Sequence, residues 1–249
     1  MLPLPARAAE RPVLPPQVAW VVDATEPAVL AAALVATRSP ANTAEHQHAI
    51  HALVLVPTLR EPTLALITDA ARGAAVAREI DAGEQLRSLT KPRADLPKWR
   101  IVAPPPVAEL RAAYDAAQRE SGIGWEYLAA VNFVETKMGR IRGTSTAGAK
   151  GPMQFLPSTW RRYGNGGDIE NTRDSIAAAG RFLRAQGGPS NMARALFRYN
   201  NSNKYVAAVT AYAMNLREDP ALLNDYQQWQ VYYRWVPGDV VLQDGYVGT

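Results

Sequence analysis

The chain has 249 residues, a formal net charge of +4 and no cysteine, which excludes disulfide bonds, cysteine-ligated zinc and thiol catalysis. With 47% hydrophobic and 20% charged residues, the composition is that of a folded protein rather than a disordered one. A charge excess this small does not indicate a nucleic-acid partner, and we expect none.

The first part of the chain is predicted to be a proline-rich arm (residues 1–18) followed by an alanine-rich helical region (residues 19–90). Five prolines fall within the arm, which favours an extended backbone. No uninterrupted apolar run is long enough to predict a membrane-spanning helix. The arm also lacks a readable export signal, because prolines interrupt the apolar core that such a signal needs.

All three histidines, His46, His48 and His51, lie in the helical region. On a helix, His48 and His51 share a face, so the pattern allows either a metal site or a polar helix surface. Glu45 is the one further ligand at a useful spacing, so the pattern favours the polar surface. We therefore predict no metal and no organic cofactor.

A proline-punctuated linker at residues 91–106 is predicted to divide the chain before a second helical region. Periodic apolar residues predict helices over residues 107–120, 125–138, 172–185, 192–199 and 205–216. Residues 219–249 form a C-terminal extension with a β-hairpin turning at Pro237-Gly238-Asp239. The predicted fold is therefore mainly α.

Aromatic residues cluster near the C-terminus, at Trp229, Tyr232, Tyr233 and Trp235. They could bind carbohydrate or pack against the protein. Because side chains alternate between the two faces of a strand, about half of them would be buried, and we favour packing.

Glu135 is the first candidate for chemistry. On a helical wheel it lies among the apolar residues Leu128, Val131 and Met138. Burial among apolar groups raises the pKa of a carboxyl group, as a general acid near neutral pH requires. The alternative is a structural ion pair with Arg140 or Arg142, just beyond the helix end.

A glycine-bearing loop, STAGAKGPMQFLPSTW, follows this helix. Gly151 lets the backbone approach a ligand closely, and Gln154 offers both hydrogen-bond donors and acceptors. Apolar Met153 and Phe155 flank that amide, a mixture that suits a sugar. The alternative is a packed turn without function.

Three motifs occur in order along the chain: Glu135-Thr136, Gly151-Pro152-Met153-Gln154 and Tyr199-Asn200. In this order they resemble the soluble lytic transglycosylase superfamily, and residues 107–218 resemble its lysozyme-like catalytic domain. The segment GPMQFLPSTW is most similar to the branch of membrane-bound lytic transglycosylase B, of actinobacterial type. The resemblance implies a lysozyme-like domain with an N-terminal helical appendage and a short C-terminal hairpin.

The resemblance also implies a reaction and its residues. Glu135 would protonate the glycosidic oxygen between N-acetylmuramic acid and N-acetylglucosamine in peptidoglycan, then act as base toward the muramoyl C6 hydroxyl. The product is a 1,6-anhydromuramoyl end. Met153 and Gln154 would line the sugar site, and the Tyr199 phenol would hold the Glu135 carboxyl beside Asn200. Ser145 or Thr146 lies where this family often has a hydroxyl near the substrate. Further substrate contacts are expected at Gly151, at Phe155 and at Tyr163, whose ring could stack on a sugar or belong to the core.

Two other functions stay open. Glycosidases that hydrolyse their substrate use two carboxylates, and Asp168 is the candidate for the second one in a muramidase. We favour a loop position for Asp168, and we expect Asp174 to cap the following helix with Ser175. A non-catalytic protein that binds the cell wall is the other alternative.

The implied substrate predicts the location and the partners. Peptidoglycan glycan strands lie outside the cytoplasmic membrane, so we expect an extracytoplasmic monomer in the cell envelope. We expect that an export signal is missing from this chain or has been removed. The proline-rich arm would suit a tether between the enzyme and a membrane anchor.

Overall fold

The computed structural model describes residues 12–21, 26–36 and 39–249, without the side chains of residues 40 and 41. Residues 1–11, most of the predicted arm, lie outside these ranges. Within them the chain is mainly helical with two small antiparallel sheets, which confirms the mainly α prediction. None of the helices in these ranges has both the length and the hydropathy to cross a membrane.

The first half of the described chain is a strand followed by helices. Prolines stand in the first turns of the first two helices, where their fixed φ angle suits a helix start. The fourth helix is capped by Asp69, whose carboxylate accepts a hydrogen bond from the backbone N–H of Arg72 (3.0 Å). The elements are β1 Val18–Trp20, α1 Pro27–Val35, α2 Pro40–Leu55, a 3-10 turn Pro57–Leu59, α3 Arg60–Leu64 and α4 Ala70–Ser88.

All five helices predicted for the second half are present, with ends that differ from the prediction by two residues or fewer. Two short helices, one after the glycine-bearing loop and one near the C-terminus, are not among the five. The elements are β2 Arg100–Ile101, α5 Val107–Ser121, α6 Trp125–Thr136, β3 Ile141–Arg142, α7 Pro157–Tyr163, α8 Thr172–Ala185, α9 Met192–Asn200, α10 Asn203–Glu218, α11 Leu222–Gln228, β4 Val231–Tyr233 and β5 Val240–Leu242.

The predicted C-terminal hairpin is confirmed, and it gains a third strand. Strands β4 and β5 pair antiparallel around the predicted turn, and β1 pairs with the other edge of β5. In this register Val18 faces Leu242 and Trp20 faces Val240. The end of the predicted arm therefore forms one sheet with the C-terminus.

One hydrophobic core includes residues from both sides of the predicted linker. It extends from Leu30 of α1 to Trp229, just after α11. Helix α4 packs along α10, and α5 packs along α8. Within the predicted linker, β2 pairs with β3, the strand that follows the Glu135 helix. The division into domains stays a prediction.

The histidines do not form the polar surface predicted for them. His46 is buried, and its Nε2 lies 2.7 Å from the Oε2 atom of Glu79 on α4. His51 is half-buried, with its Nε2 atom 3.2 Å from Asp239 Oδ2. The prediction failed because α2 packs against α4 and the sheet, which turns these side chains inward. In the described ranges, no three acidic or histidine side chains group as metal ligands.

The four C-terminal aromatic residues pack against the protein, as we favoured. Trp229 is buried and meets the ring of Phe133 edge-on. Trp235 stacks on Trp20 with ring centroids 5.8 Å apart. Tyr232 contacts the ring of His51, and Tyr233 contacts the ring of Trp99.

Candidate active site

Glu135 is the second-last residue of α6, a helix whose other residues are largely buried. Leu128, Val131 and Met138 have no exposed surface, so the predicted apolar surroundings are confirmed. The Glu135 side chain itself is half-buried and keeps contact with the surface. The Glu135 side chain therefore lies in a largely apolar environment next to the surface.

The chain turns sharply directly after Glu135 and Thr136. Lys137, Met138 and Gly139 all have positive φ angles, and such a run cannot continue a right-handed helix. The helix therefore ends at Thr136, two residues before the predicted end. Non-glycine residues in this region are strained, so the surrounding packing must hold the turn in place.

The carboxyl group of Glu135 accepts a hydrogen bond from a tyrosine other than the one predicted. The hydroxyl of Tyr205 on α10 donates to Glu135 Oε1 over 2.7 Å. The hydroxyl of Tyr199 instead donates to the backbone carbonyl of Met153, also over 2.7 Å. The two phenol rings stack with centroids 6.3 Å apart. Tyr199 thus supports Tyr205 and the turn, and Tyr205 holds the carboxyl group.

Burial raises the pKa of Glu135 to about 7, and the hydrogen bond from Tyr205 opposes this rise. Near neutral pH the carboxyl group therefore exchanges readily between its protonated and ionised forms, as an acid that later acts as a base must do. Burial and the nearby Glu135 also raise the pKa of Tyr205 and Tyr199. Both phenols stay neutral donors.

The alternative of a structural ion pair for Glu135 is not supported. Arg140 pairs with Asp244 and donates to the carbonyl of Gln227. Arg142 donates to the carbonyl of Glu170 over 3.3 Å. In the part of the chain that the structure describes, Glu135 has no cationic partner.

The turn Gly151–Gln154 is bound directly to the end of the Glu135 helix. The carbonyl of Pro152 accepts hydrogen bonds from Thr136 Oγ1 (2.6 Å) and from Asn132 Nδ2 (2.9 Å). The hydroxyl of Tyr114 on α5 in turn donates to the amide oxygen of Asn132 (2.8 Å). Together with the hydrogen bond from Tyr199 to the Met153 carbonyl, these contacts join all three sequence motifs through side-chain hydrogen bonds.

Gly151 and Gln154 have the backbone that this turn requires. Gly151 has φ +74°, and a Cβ atom there would lie 1.9 Å from the carbonyl oxygen of Ile169, so no other residue fits. Gln154 also has a positive φ angle and is half-buried. Its Nε2 donates to the carbonyl of Gly151 over 3.0 Å, which leaves its amide oxygen available to a ligand.

Met153 and Phe155 do not line the site with their side chains, contrary to expectation. Both side chains are buried in the main core. The Phe155 ring contacts the rings of Trp160, Phe182 and Tyr199. Met153 and Phe155 stand on either side of Gln154, which has a positive φ angle. Their buried side chains anchor the turn to the core.

Three other residues were predicted to contact the substrate: Ser145, Tyr163 and Asn200. Ser145 is half-buried, and its Oγ accepts a hydrogen bond from the backbone N–H of Ala149 (3.0 Å). Tyr163 packs edge-on against Phe182, and its hydroxyl accepts a hydrogen bond from Gln186. Asn200 is exposed as the last residue of α9. The structure gives these three residues no direct contact with Glu135.

Asp168 is an exposed loop residue, as we favoured. Its Oδ1 accepts a hydrogen bond from the backbone N–H of Glu170 (2.9 Å). Its own N–H donates to Asp174 Oδ2 (3.0 Å). The expected cap of α8 is wrong, however, because Asn171 caps this helix and accepts from the N–H groups of its first turn. Asp174 orders the preceding loop instead.

The sequence prediction gave no role to Tyr205 or Asn132, and it named Thr136 only as part of the first motif. Tyr205 is the second tyrosine of the segment YNNSNKYV, so a signal for it was present. Asn132 lies one helical turn before Thr136, which places both on the side of the helix that meets the turn. Polar residues at this spacing on a buried helix face were the available signal.

The chain is locally similar to one characterised class of protein. Over 80 residues it is 36% identical to the membrane-bound lytic murein transglycosylase F of Thiobacillus denitrificans. The similar segment covers 32% of this chain and 17% of that protein, so the chain spans far less than two thirds of its relative. No protein-family model and no solved structure matches the chain. The similarity thus points to lytic transglycosylases in one segment of the chain.

Proposed function

We propose that this protein is a lytic transglycosylase that cleaves the bond between N-acetylmuramic acid and N-acetylglucosamine in peptidoglycan. The observation that carries the proposal is Glu135: a half-buried carboxyl group with a pKa of about 7, held by Tyr205 beside a glycine turn. The order of the three motifs and the local similarity to a murein transglycosylase support it. The likeness to the B branch, of actinobacterial type, is part of the same proposal.

In the proposed reaction Glu135 acts twice. Protonated Glu135 donates its proton to the glycosidic oxygen as the bond to the muramoyl C1 breaks. Ionised Glu135 then takes the proton of the muramoyl C6 hydroxyl while that oxygen attacks C1, which closes the 1,6-anhydro ring. The proton returns to the carboxyl group, so acid and base are one residue and no water is consumed.

A single carboxylate suffices for this intramolecular attack, because the nucleophile belongs to the substrate. Hydrolysis would need a second carboxylate, separated from the first by roughly 5–10 Å depending on the stereochemistry. Among the described residues, no other acidic side chain affects the pKa of Glu135. Asp168 is engaged in its own loop, which favours transglycosylation over the muramidase alternative.

The remaining features of the function are part of the same proposal. Gln154, beside the turn, would hydrogen-bond the sugar, and Gly151 would let the backbone approach it. The enzyme would act as a monomer on glycan strands in the cell envelope, outside the cytoplasmic membrane. A membrane tether at its N-terminal side would hold it near this substrate.

The experiment is digestion of purified peptidoglycan, followed by mass spectrometry of the fragments. The wild type is expected to release fragments lighter by one water molecule than hydrolysis products, and Glu135→Gln is expected to release none. Glu109→Gln, an exposed residue of α5, is the matched control and should act like the wild type. Full-mass reducing fragments would identify a muramidase. A folded wild type that binds peptidoglycan without cutting it would identify a binding protein.

A further inference from the structure

A cleft lies away from Glu135, between α1, α2 and the three-stranded sheet. Its volume is about 740 Å³, which is within the usual range of small-molecule sites. The walls are mainly aliphatic, with Val29, Ala32 and Ala33 on α1 and Ala49 on α2. The residues around Glu135, such as Tyr199, Tyr205 and Gln154, do not line this cleft.

The described residues leave much of the apolar surface of helix α1 uncovered at the cleft. All nine of its residues are apolar, and only Leu30, Ala31 and Leu34 are buried. Val29 is 61% exposed although it lines the cleft. Aliphatic walls of this kind favour an apolar ligand, since the free energy of binding follows the apolar area removed from water.

The sheet adds polar groups on one side of the cleft. Tyr232 and Gln230 line it, and within the described ranges neither side chain has a hydrogen-bond partner. Burial raises the pKa of the Tyr232 hydroxyl, which therefore stays protonated and can donate a hydrogen bond. The main chain of Gln230 is fixed by two hydrogen bonds with the side chain of Gln47, so this polar side of the cleft is rigid.

The charge at the cleft disfavours an anion. Glu45 is exposed at the rim, and the described lining residues include no lysine or arginine. His48 is the only other lining residue that can carry charge among those described. A ligand with a carboxylate or phosphate head would meet Glu45, and no lysine or arginine among the described lining residues would balance that charge.

We propose that this cleft binds a single-chain amphiphile with an uncharged polar head. The alkyl chain would lie between α1 and α2, and the head would bind at Tyr232 and Gln230. A sugar or peptide fits less well, because the polar groups along its length would face aliphatic walls without partners. The site is independent of the proposed reaction at Glu135.

The first test is isothermal titration calorimetry of the full chain with octyl and decyl maltoside, each below its critical micelle concentration. Each buried methylene contributes about 0.8 kcal/mol, so the longer chain is expected to bind about fifteenfold more tightly. Equal affinities would overturn the proposal. Absence of binding by either probe below its critical micelle concentration would also overturn it.

The second test uses two substitutions on exposed positions of α1. Ala32→Phe projects into the cleft, whereas Ala28→Phe lies on the same helix and does not line it. We expect Ala32→Phe to weaken decyl maltoside binding at least tenfold and Ala28→Phe to leave it unchanged. Thermal unfolding without ligand checks that both variants fold. If both substitutions weaken binding equally, or neither does, the cleft is not the binding site.

The third test concerns the charge of the head. Decanoate is expected to bind more weakly than decyl maltoside, and Glu45→Gln should increase the affinity for decanoate while leaving that for decyl maltoside unchanged. A preference of the wild type for decanoate would overturn the uncharged head, and so would a Glu45→Gln variant that binds both probes as the wild type does.

Discussion

The hydroxyl of Tyr205 lies 2.7 Å from Oε1 of Glu135 and joins the N-terminal part of α10 to the end of α6. This hydrogen bond stabilises the ionised carboxylate, while burial stabilises the neutral acid. Burial is the larger effect, and the pKa rises to about 7. Tyr205 therefore limits how far the pKa of the proposed catalytic acid can rise.

Replacing Tyr205 by Phe should shift the pH dependence of glycan cleavage. Without the hydrogen bond the pKa of Glu135 rises further, so the loss of activity at high pH should move to higher pH. We also expect kcat to fall on the order of tenfold, because the carboxyl group loses its orientation. The measurement is the rate of fragment release across a pH series.

Tyr199→Phe is the matched control for this prediction. It removes a hydroxyl that bonds to the Met153 carbonyl rather than to Glu135. The high-pH limb of its profile should therefore coincide with that of the wild type, even if the turn loosens and the rate falls. Identical shifts in the two variants would mean that Tyr205 acts only through packing.

The raised pKa of Glu135 should also make the folded protein less stable at high pH. Between pH 4.5 and about 7 the unfolded chain has lost this proton and the folded chain has kept it, so the free energy of unfolding falls as pH rises. This shift in the pKa of Glu135 changes the free energy of unfolding by about 3 kcal/mol at most. Glu135→Gln, which cannot ionise, avoids the loss.

We therefore expect the wild type and Glu135→Gln to have similar unfolding free energies at pH 4. At pH 8 the Gln variant should be more stable by up to about 3 kcal/mol. Urea unfolding at both pH values measures the difference, and other titrating groups cancel in the comparison. A Gln variant that is less stable at both pH values would show that Glu135 has a structural role instead.

Much of the fold could be predicted because several helices of residues 107–218, above all α8 and α9, have strong apolar periodicity. Helix α11 escaped prediction, since seven residues are too few to establish a period. The buried contact between His46 and Glu79 joins residues 33 positions apart, and no local pattern encodes it. Sequence periodicity thus finds long elements and misses the contacts between them.

The candidate site was predictable to the level of its motifs but not of its atoms. Glu135 was found because an acid among buried residues conflicts with the helical pattern. Which of the two tyrosines, Tyr199 or Tyr205, contacts Glu135 depends on the turn between α9 and α10. Asn201 has a positive φ angle in that turn. The inward direction of Met153 likewise depends on the positive φ angle of Gln154, which the sequence does not reveal.

Gly151→Ala should damage the turn beside Glu135. The added Cβ atom would lie 1.9 Å from the Ile169 carbonyl oxygen, and that backbone must then move. We expect a loss of about 3 kcal/mol or more in the free energy of unfolding. Gly148→Ala is the control: it shares a positive φ angle but has open space, so the expected loss is about 1–2 kcal/mol. Equal losses in urea unfolding would contradict the steric argument.

Glu79→Gln should destabilise the interface between the N-terminal helices and the helices around Glu135. Glu79 is buried on α4, where His46 contacts one of its oxygens and the Tyr226 hydroxyl donates to the other (2.9 Å). Tyr226 in turn stacks on Phe133 of α6. Replacing a buried carboxylate that accepts these bonds should cost about 2–3 kcal/mol.

Glu84→Gln on the same helix is the control for this substitution. Glu84 pairs with Arg60, but its side chain is 49% exposed, so its removal should change the free energy of unfolding by less than about 1 kcal/mol. A single cooperative transition in both variants would show that the N-terminal helices unfold together with the Glu135 region. If unfolding instead occurs in two separate transitions and Glu79→Gln shifts only one of them, the two regions fold independently. The hydrogen bonds of Glu79 would then stabilise only one region.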